Sequence, residues 1–308
     1  MSAPAAGFGP AALRAALLGL LGLLAACSRP PATAALEPFG SVTLAWDTTS
    51  WQSLLDSSRT VRFTPLSYTD LDALGEGVRY LTLTYRVENL GSVPLENLTL
   101  QAYARAGNAG GTAIREVRAF PDAAFPDGQE IADPGVARSF RPVQATVMGV
   151  AAPQPDPLNS DFQAFALAES AGLEGRARAL GLIAAADAVL DYGFTARDAP
   201  GDGRRLGPGE AGTLSVAFRL PRTFPGEPKP YRFKATFLVG EMPLTRVSRA
   251  LGETTAQALG RARGLAGAER PVQLVLVGPD ADNPAGAGIG VVRLENLRIG
   301  TAPTYLLP

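Results

Sequence analysis

The sequence predicts a mainly β protein, an antiparallel β-sandwich with a loop/helical insertion, followed by a C-terminal helix plus strands. Three observations predict it. Apolar and polar residues alternate strictly in segments of β-forming residues, most clearly where Leu81, Leu83, Tyr85 and Val87 alternate with Tyr80, Thr82, Thr84 and Arg86. Period two is the signature of a half-buried strand. Turn-forming clusters, among them residues 89–94 and Pro208-Gly209, punctuate these segments. Helix-like spacing is confined to residues 161–190 and 255–266.

Composition supports a packed globular protein: 46% of the 308 residues are apolar and 19% are charged, which argues against disorder. The net charge of −1 leaves no electrostatic footprint for nucleic acid. Histidine is absent. That excludes Ser-His-Asp and Cys-His catalysis, His-containing zinc sites and an imidazole proton shuttle near neutral pH. The two lysines, Lys229 and Lys234, lie in no Ser-x-x-Lys context. Any enzyme would have to work with carboxylates, Tyr or Lys, most classes of hydrolase drop out, and carboxylate-pair chemistry survives; the sequence therefore predicts a non-enzyme with no cofactor.

The elements follow in chain order. Arg14 is the only charge before Cys27, an apolar run follows, and Ala25 and Ala26 are small. This order of positive, apolar and small segments is the layout of a secretion signal over residues 1–26. The apolar run is shorter than the ~20 residues a membrane-spanning helix needs. Leu24-Ala25-Ala26-Cys27 resembles the lipobox of bacterial lipoproteins. The resemblance implies cleavage before Cys27 and a diacylglyceryl thioether on its sulfur, usually with a further acyl group on its amine. Two or more acyl chains suffice for stable attachment, so membrane lipid is the expected partner through Cys27. The following residue is Ser28. In the family, the lack of Asp there favours the outer membrane in a two-membrane host; otherwise the outer face of the cytoplasmic membrane is expected. With the single cysteine lipidated, the fold has no intramolecular disulfide, although an exported protein could hold one.

Residues 27–40 form a tether in which Pro30 and Pro31 favour an extended, semi-rigid spacer. Residues 41–240 are read as the sandwich, with strands at 41–46, 60–63, 78–88, 98–104 and 114–120. Val87-Glu88-Asn89-Leu90-Gly91-Ser92, with Leu95-Glu96-Asn97-Leu98-Thr99-Leu100, resembles a hairpin of bacterial immunoglobulin-like surface modules. Its usual companion appears as Leu206-Gly207-Pro208-Gly209-Glu210, leading into Thr213-Leu214-Ser215-Val216-Ala217-Phe218. The resemblance implies an immunoglobulin-like sandwich completed by a strand at 231–239, with Phe233, Ala235, Phe237 and Val239 facing inward. More than a hundred residues separate the two motif halves. The favoured reading is therefore an insertion at about 121–190 hung on the sandwich edge and tolerant of shortening. Two domains meeting near residue 155 are the alternative. Within the insertion, Leu167, Ala171, Leu173, Ala177 and Leu180 predict one or two short helices broken near Gly172, Gly175 and Gly181.

Residues 241–308 are read as an α+β extension, packed on the same sandwich or beside it. Thr254 and Gln257 have capping-box spacing and open a helix over 255–266. Arg261, Arg263 and Arg270 nearby are a solvated face or an anion patch. Strands follow at 272–277 and 291–299. Between them Asp280, Asp282 and Asn283 are a weak calcium candidate. Pro284 breaks an EF-hand pattern, and a plain hairpin loop explains the same residues. Asn97-Leu98-Thr99 matches a glycosylation sequon but sits in a strand and is discounted.

The function expected from these features is that of a lipid-anchored, exported cell-envelope protein. Its role would be non-catalytic, structural or interactive, exercised through a β-sandwich on an envelope protein or glycan. The alternative is a lipid-tethered small-molecule or glycan-binding protein. The insertion would then form one pocket wall, with Trp46, Trp51, Tyr68 and Tyr192 available for stacking. A carboxylate-based enzyme is a distant third.

Overall fold

The computed structural model describes residues 36–45, 50–53, 58–119, 134–156, 161–199, 203–222, 231–243, 245–248, 272–276, 292–297 and 304–306, with residues 254, 256–258 and 260. The fold is mainly β, built on two antiparallel sheets. The first sheet runs β1 (Glu37–Ala45), β16 (Tyr231–Glu241), β6 (Leu98–Ala104), β12 (Ala188–Thr195), β11 (Phe162–Ala164), and β7 (Ile114–Ala119) also pairs with β16. The second runs β13 (Arg197–Asp198), β15 (Ala211–Pro221), β4 (Val78–Asn89), β3 (Thr60–Ala73), β2 (Ser50–Ser53), and β8 (Arg141–Pro142) also pairs with β15. Two small ribbons pair β5 (Leu95–Glu96) with β14 (Arg205–Leu206), and β9 (Thr146–Met148) with β10 (Pro153–Pro155). A further sheet follows in the order β17 (Thr245–Ser248), β18 (Val272–Leu276), β19 (Val292–Leu297), β20 (Thr304–Leu306). Its first pair is parallel, and the strand β17 runs next to β11.

The alternation read in the sequence decides which side chains meet between the main sheets. In β4, Leu81, Leu83, Tyr85 and Val87 are buried, while Arg86 on the opposite face is exposed. Leu214, Val216 and Phe218 of β15 join them, with Phe233, Ala235 and Phe237 from β16 opposite. Phe218 is the hub, packing edge-on against Phe233 at 5.2 Å, Phe140 at 5.6 Å and Phe194 at 6.1 Å between centroids. Edge-to-face pairs of this kind add stabilisation beyond their buried area. Tyr85 spans the sandwich, donating its hydroxyl to the Ala45 carbonyl at 2.8 Å.

The two motif halves meet in this architecture. Strands β4 and β15 pair along their whole length, from Glu88 opposite Ala211 to Val78 opposite Pro221. Asn89 locks the adjoining turns together. Its side-chain nitrogen donates to Val93 O at 2.8 Å and Leu206 O at 2.9 Å, and its carbonyl oxygen accepts from Gly91 N at 3.0 Å. Its backbone exchanges bonds with Gly209 and Glu210 of the second turn. One asparagine thereby uses its donors and acceptor to hold two segments that are far apart in the chain.

The segment 121–190 differs from the expectation of an edge-hung insertion. It sends β8 to the second sheet and β11 with the start of β12 to the first. Phe140 and Phe162 lie in the main core. Its helix α2 (Leu167–Ala179) forms, but Gly172 and Gly175 lie inside it and do not break it. The Glu169 carboxylate accepts from Ala166 N at 2.7 Å, capping the first turn, and Gly181 at φ 70° follows the last. Leu173 and Ala177 are buried, whereas Leu167 and Ala171 are exposed. The buried stripe covers the outer face of the first sheet, forming a second cluster with Tyr103 and Leu238. This cover reaches Gln101 and Tyr103, and every residue of β6 is buried although its sequence alternates.

A buried ion triad ties the sheets at one end. Asp161, before β11, accepts from Arg197 Nε at 2.6 Å, Arg204 Nη1 at 3.0 Å and the Ser215 backbone N–H at 2.8 Å. Burying these charges requires such pairing. Near the C-terminal region the expected capping box forms, Gln257 N donating to Thr254 Oγ1 at 3.1 Å and Thr254 N to Gln257 Oε1 at 2.9 Å.

Candidate functional site

The site is created by a gap in the first sheet. Strand β6 leaves β16 after Ala102 pairs with Phe237, and β7 joins the same side of β16 at Ile114 opposite Ala235. Thr236 bridges the break, donating its hydroxyl to Tyr103 O at 2.6 Å and its backbone N–H to Ala113 O at 3.0 Å. Residues 105–113 are pushed out as a loop. The Asp187 carboxylate holds its start, accepting from Ala106 N at 2.9 Å, and Asn108 Nδ2 donates to Thr112 O at 3.1 Å near its end. At its tip Gly110 and Gly111 both have positive φ, 64° and 66°, a conformation that only glycine takes without strain.

Strand β12 supplies the second wall. It pairs with β6 at Val189–Tyr103 and again at Gly193–Gln101, so three of its residues stand against one of the partner's. The bulge comprises Leu190, Asp191 and Tyr192. Such bulges re-aim side chains and are common beside functional sites. Buried polar groups fix it: Gln101 Nε2 donates to Leu190 O at 2.9 Å and to Ser170 Oγ at 3.0 Å, and Phe165 N donates to Asp191 O at 2.8 Å. Asp191 itself is exposed and lines the cleft.

Helix α1 (Pro134–Ser139) and β8 form the third wall. Val136 and Ala137 anchor the helix in the core, and Phe140 packs on Phe233 at 5.3 Å. The Arg138 stem crosses the loop where Gly110 has no side chain; a Cβ there would lie 2.4 Å from Arg138 Cγ. Arg141 Nη1 donates to Arg138 O at 2.7 Å and Phe140 O at 3.0 Å. The three walls enclose an open cleft of about 490 Å3, half polar in its lining.

Tyr192 forms part of the floor, buried to 9% exposure and edge-on to Phe218 at 6.3 Å. Burial pushes its phenol well above the ordinary tyrosine range. The Ala113 backbone hydrogen bond opposes that rise, Asp191 adds to it, and Arg141 opposes it more weakly.

Of the residues named from the sequence, Tyr192 reaches the cleft. Tyr68 is not among the residues lining it: its hydroxyl, from β3, donates to the Tyr231 carbonyl of β16 in the other main sheet. Cys27, Trp46, Asp280, Asp282 and Asn283 lie outside the described residues, as do Arg261, Arg263 and Arg270. Trp51 is described only as part of strand β2. Among the described residues, no group of three or more Cys, Asp or Glu side chains is placed to hold a metal ion, and no helix is long and apolar enough to cross a membrane. Sequence reasoning missed Arg138, Arg141 and Asp191. The adjacent glycines 110 and 111 were the available signal, since they mark a turn with unusual backbone. No family model, curated protein or solved structure matches this chain.

Proposed function

We propose that this chain is a lipid-anchored, exported cell-envelope protein with a non-catalytic role, presenting a β-sandwich to other envelope components. The observation that carries this reading is Leu24-Ala25-Ala26-Cys27 at the end of an apolar run, followed by a proline-rich tether. The sandwich beyond the tether supports it as a rigid display surface, because its buried charges are engaged inside the fold, as in the Asp161–Arg197–Arg204 triad. The anchor is tested by metabolic labelling with palmitate in a bacterial host. Wild type should take up label and fractionate with membrane, while Cys27→Ser should remain an unlabelled precursor. Failure of the wild type to label refutes the anchor.

A second reading, small-molecule or glycan binding, has its own support in the cleft. The segment 121–190 supplies Arg138, Phe140, Arg141 and Leu190 to its walls, and the open, half-polar lining suits a soluble ligand.

A further inference from the structure

We propose that the cleft binds a sugar acid, a carboxylate-bearing sugar unit with neighbouring hydroxyls. The proposal rests on the ligand-binding reading and adds the ligand's chemistry. Three exposed charged residues line the cleft, Arg138 and Arg141 on one wall and Asp191 on another. They are not paired with each other. The Asp191 carboxylate has no hydrogen bond or ion pair among the described residues. Arg138 uses only Nε, on Pro134 O at 3.2 Å, and Arg141 only Nη1. Each guanidinium thus keeps further N–H donors for a ligand, in the planar geometry that matches a carboxylate.

The site is also built in the sense that its parts are held by groups with no other evident task. The bulge that turns Asp191 outward depends on Gln101, which is 1% exposed and whose amide donates to Leu190 O. The loop opposite depends on two glycines with positive φ, one of them making room for the Arg138 stem.

Charge and donor counting select the ligand class. Two guanidiniums and one carboxylate give the cleft a net charge of +1, which a single carboxylate on the ligand neutralises. Asp191, an acceptor only when ionised, then requires donors without a second negative charge. Neighbouring hydroxyls supply them. A zwitterion would also engage Asp191 but would leave the cleft cationic, and a bare inorganic anion would engage the guanidiniums without a row of hydroxyls to reach Asp191.

Calorimetry on the full-length protein in detergent, at low salt, tests the assignment. The probes are D-glucuronate, D-glucose, L-alanine and inorganic phosphate. Saturable binding of glucuronate is expected, with glucose and phosphate each weaker by about tenfold or more, the worth of one charged hydrogen bond. Asp191→Asn and Arg141→Gln should each cost a similar factor. Asp191 makes no side-chain bond among the described residues, so its variant should melt like wild type and read binding alone. A uronic acid trisaccharide separates the sources. Tighter binding than the monomer points to a polymer-borne unit, equal binding to the free acid, and both support the chemistry. Glucuronate binding that Asp191→Asn leaves unchanged, or that phosphate equals, overturns the proposal. Alanine binding lost in Asp191→Asn, with no glucuronate binding, refutes the sugar acid but keeps the cleft as a binding site. Absence of binding by every probe refutes both.

Discussion

Phe218 makes the sharpest test of the core at the level of single residues. It is fully buried, and its ring meets Phe140, Phe194 and Phe233 edge-on. Phe218→Ala removes those contacts and leaves a void between two sheets that cannot close on it. A loss of about 3–5 kcal/mol in chemical denaturation is expected, and a change below 1 kcal/mol would contradict the packing. Tyr192 gives a pH prediction. Its phenol is raised in the folded state, chiefly by burial, so the proton is held more tightly there than in the unfolded chain. The stability this contributes is complete below pH about 10, the unfolded value. It falls as pH rises further, by about 1.4 kcal/mol per unit for one such group. Urea midpoints at pH 8, 10 and 11 should drop accordingly, and Tyr192→Phe should reduce the slope. Equal alkaline sensitivity in the variant would show that Tyr192 is not responsible.

Two glycines make opposite predictions at the level of elements. Gly175 lies within α2 with no atom near the position of a Cβ, so Gly175→Ala should stabilise by about 0.5–1 kcal/mol through the unfolded state. Gly193 ends the β12 bulge, and a Cβ there would lie 2.2 Å from Leu100 O and 3.0 Å from Gln101 Cα. Both are backbone atoms of β6, so the strands must separate. Gly193→Ala should cost about 1–3 kcal/mol and loosen the Asp191 wall of the cleft. Thermal melts of the two variants on opposite sides of wild type would support this. Stabilisation by Gly193→Ala would refute the close β6–β12 approach. The period-two segments were legible because each strand's own pattern states which side faces the core; β6 at Leu98–Ala104 and β16 at Tyr231–Glu241 fall where alternation begins. The burial of Thr99, Gln101 and Tyr103 on the other face of β6 was not legible. For Gln101 and Tyr103 it depends on α2, which arrives from about seventy residues later in the chain.

For the whole molecule, the decisive question is whether residues 121–190 are an accessory. They supply β8 and β11, and they place Phe140 and Phe162 in the core shared by both sheets. Asp161, the carboxylate that neutralises buried Arg197 and Arg204, is also among them. Replacing 121–190 with a short Gly/Ser linker should therefore abolish cooperative folding. The closure cost of a long loop is small, about 0.6 kcal/mol per doubling, but unpairing a buried ion network costs several kcal/mol. A sharp unfolding transition in the shortened protein would return the segment to the status of an edge insertion.

The amino-acid sequence by itself determined the class of this protein, the positions of strands such as β4, β6, β15 and β16, and the likeness of its N-terminus to a lipoprotein signal. Each of these depends on neighbours in the chain: period two for strands, turn chemistry for their ends, and the order of charge, apolar run and small residues ahead of Cys27. Tertiary structure alone decided that Asn89 holds the turn at Gly209, that the middle segment is woven into both sheets, and that Arg138, Arg141 and Asp191 line one cleft. The physical reason is that exposed charges carry no periodic signal. Their meeting is set by a bulge in one strand, a gap in a sheet and a short helix, each positioned by contacts between residues far apart in the chain.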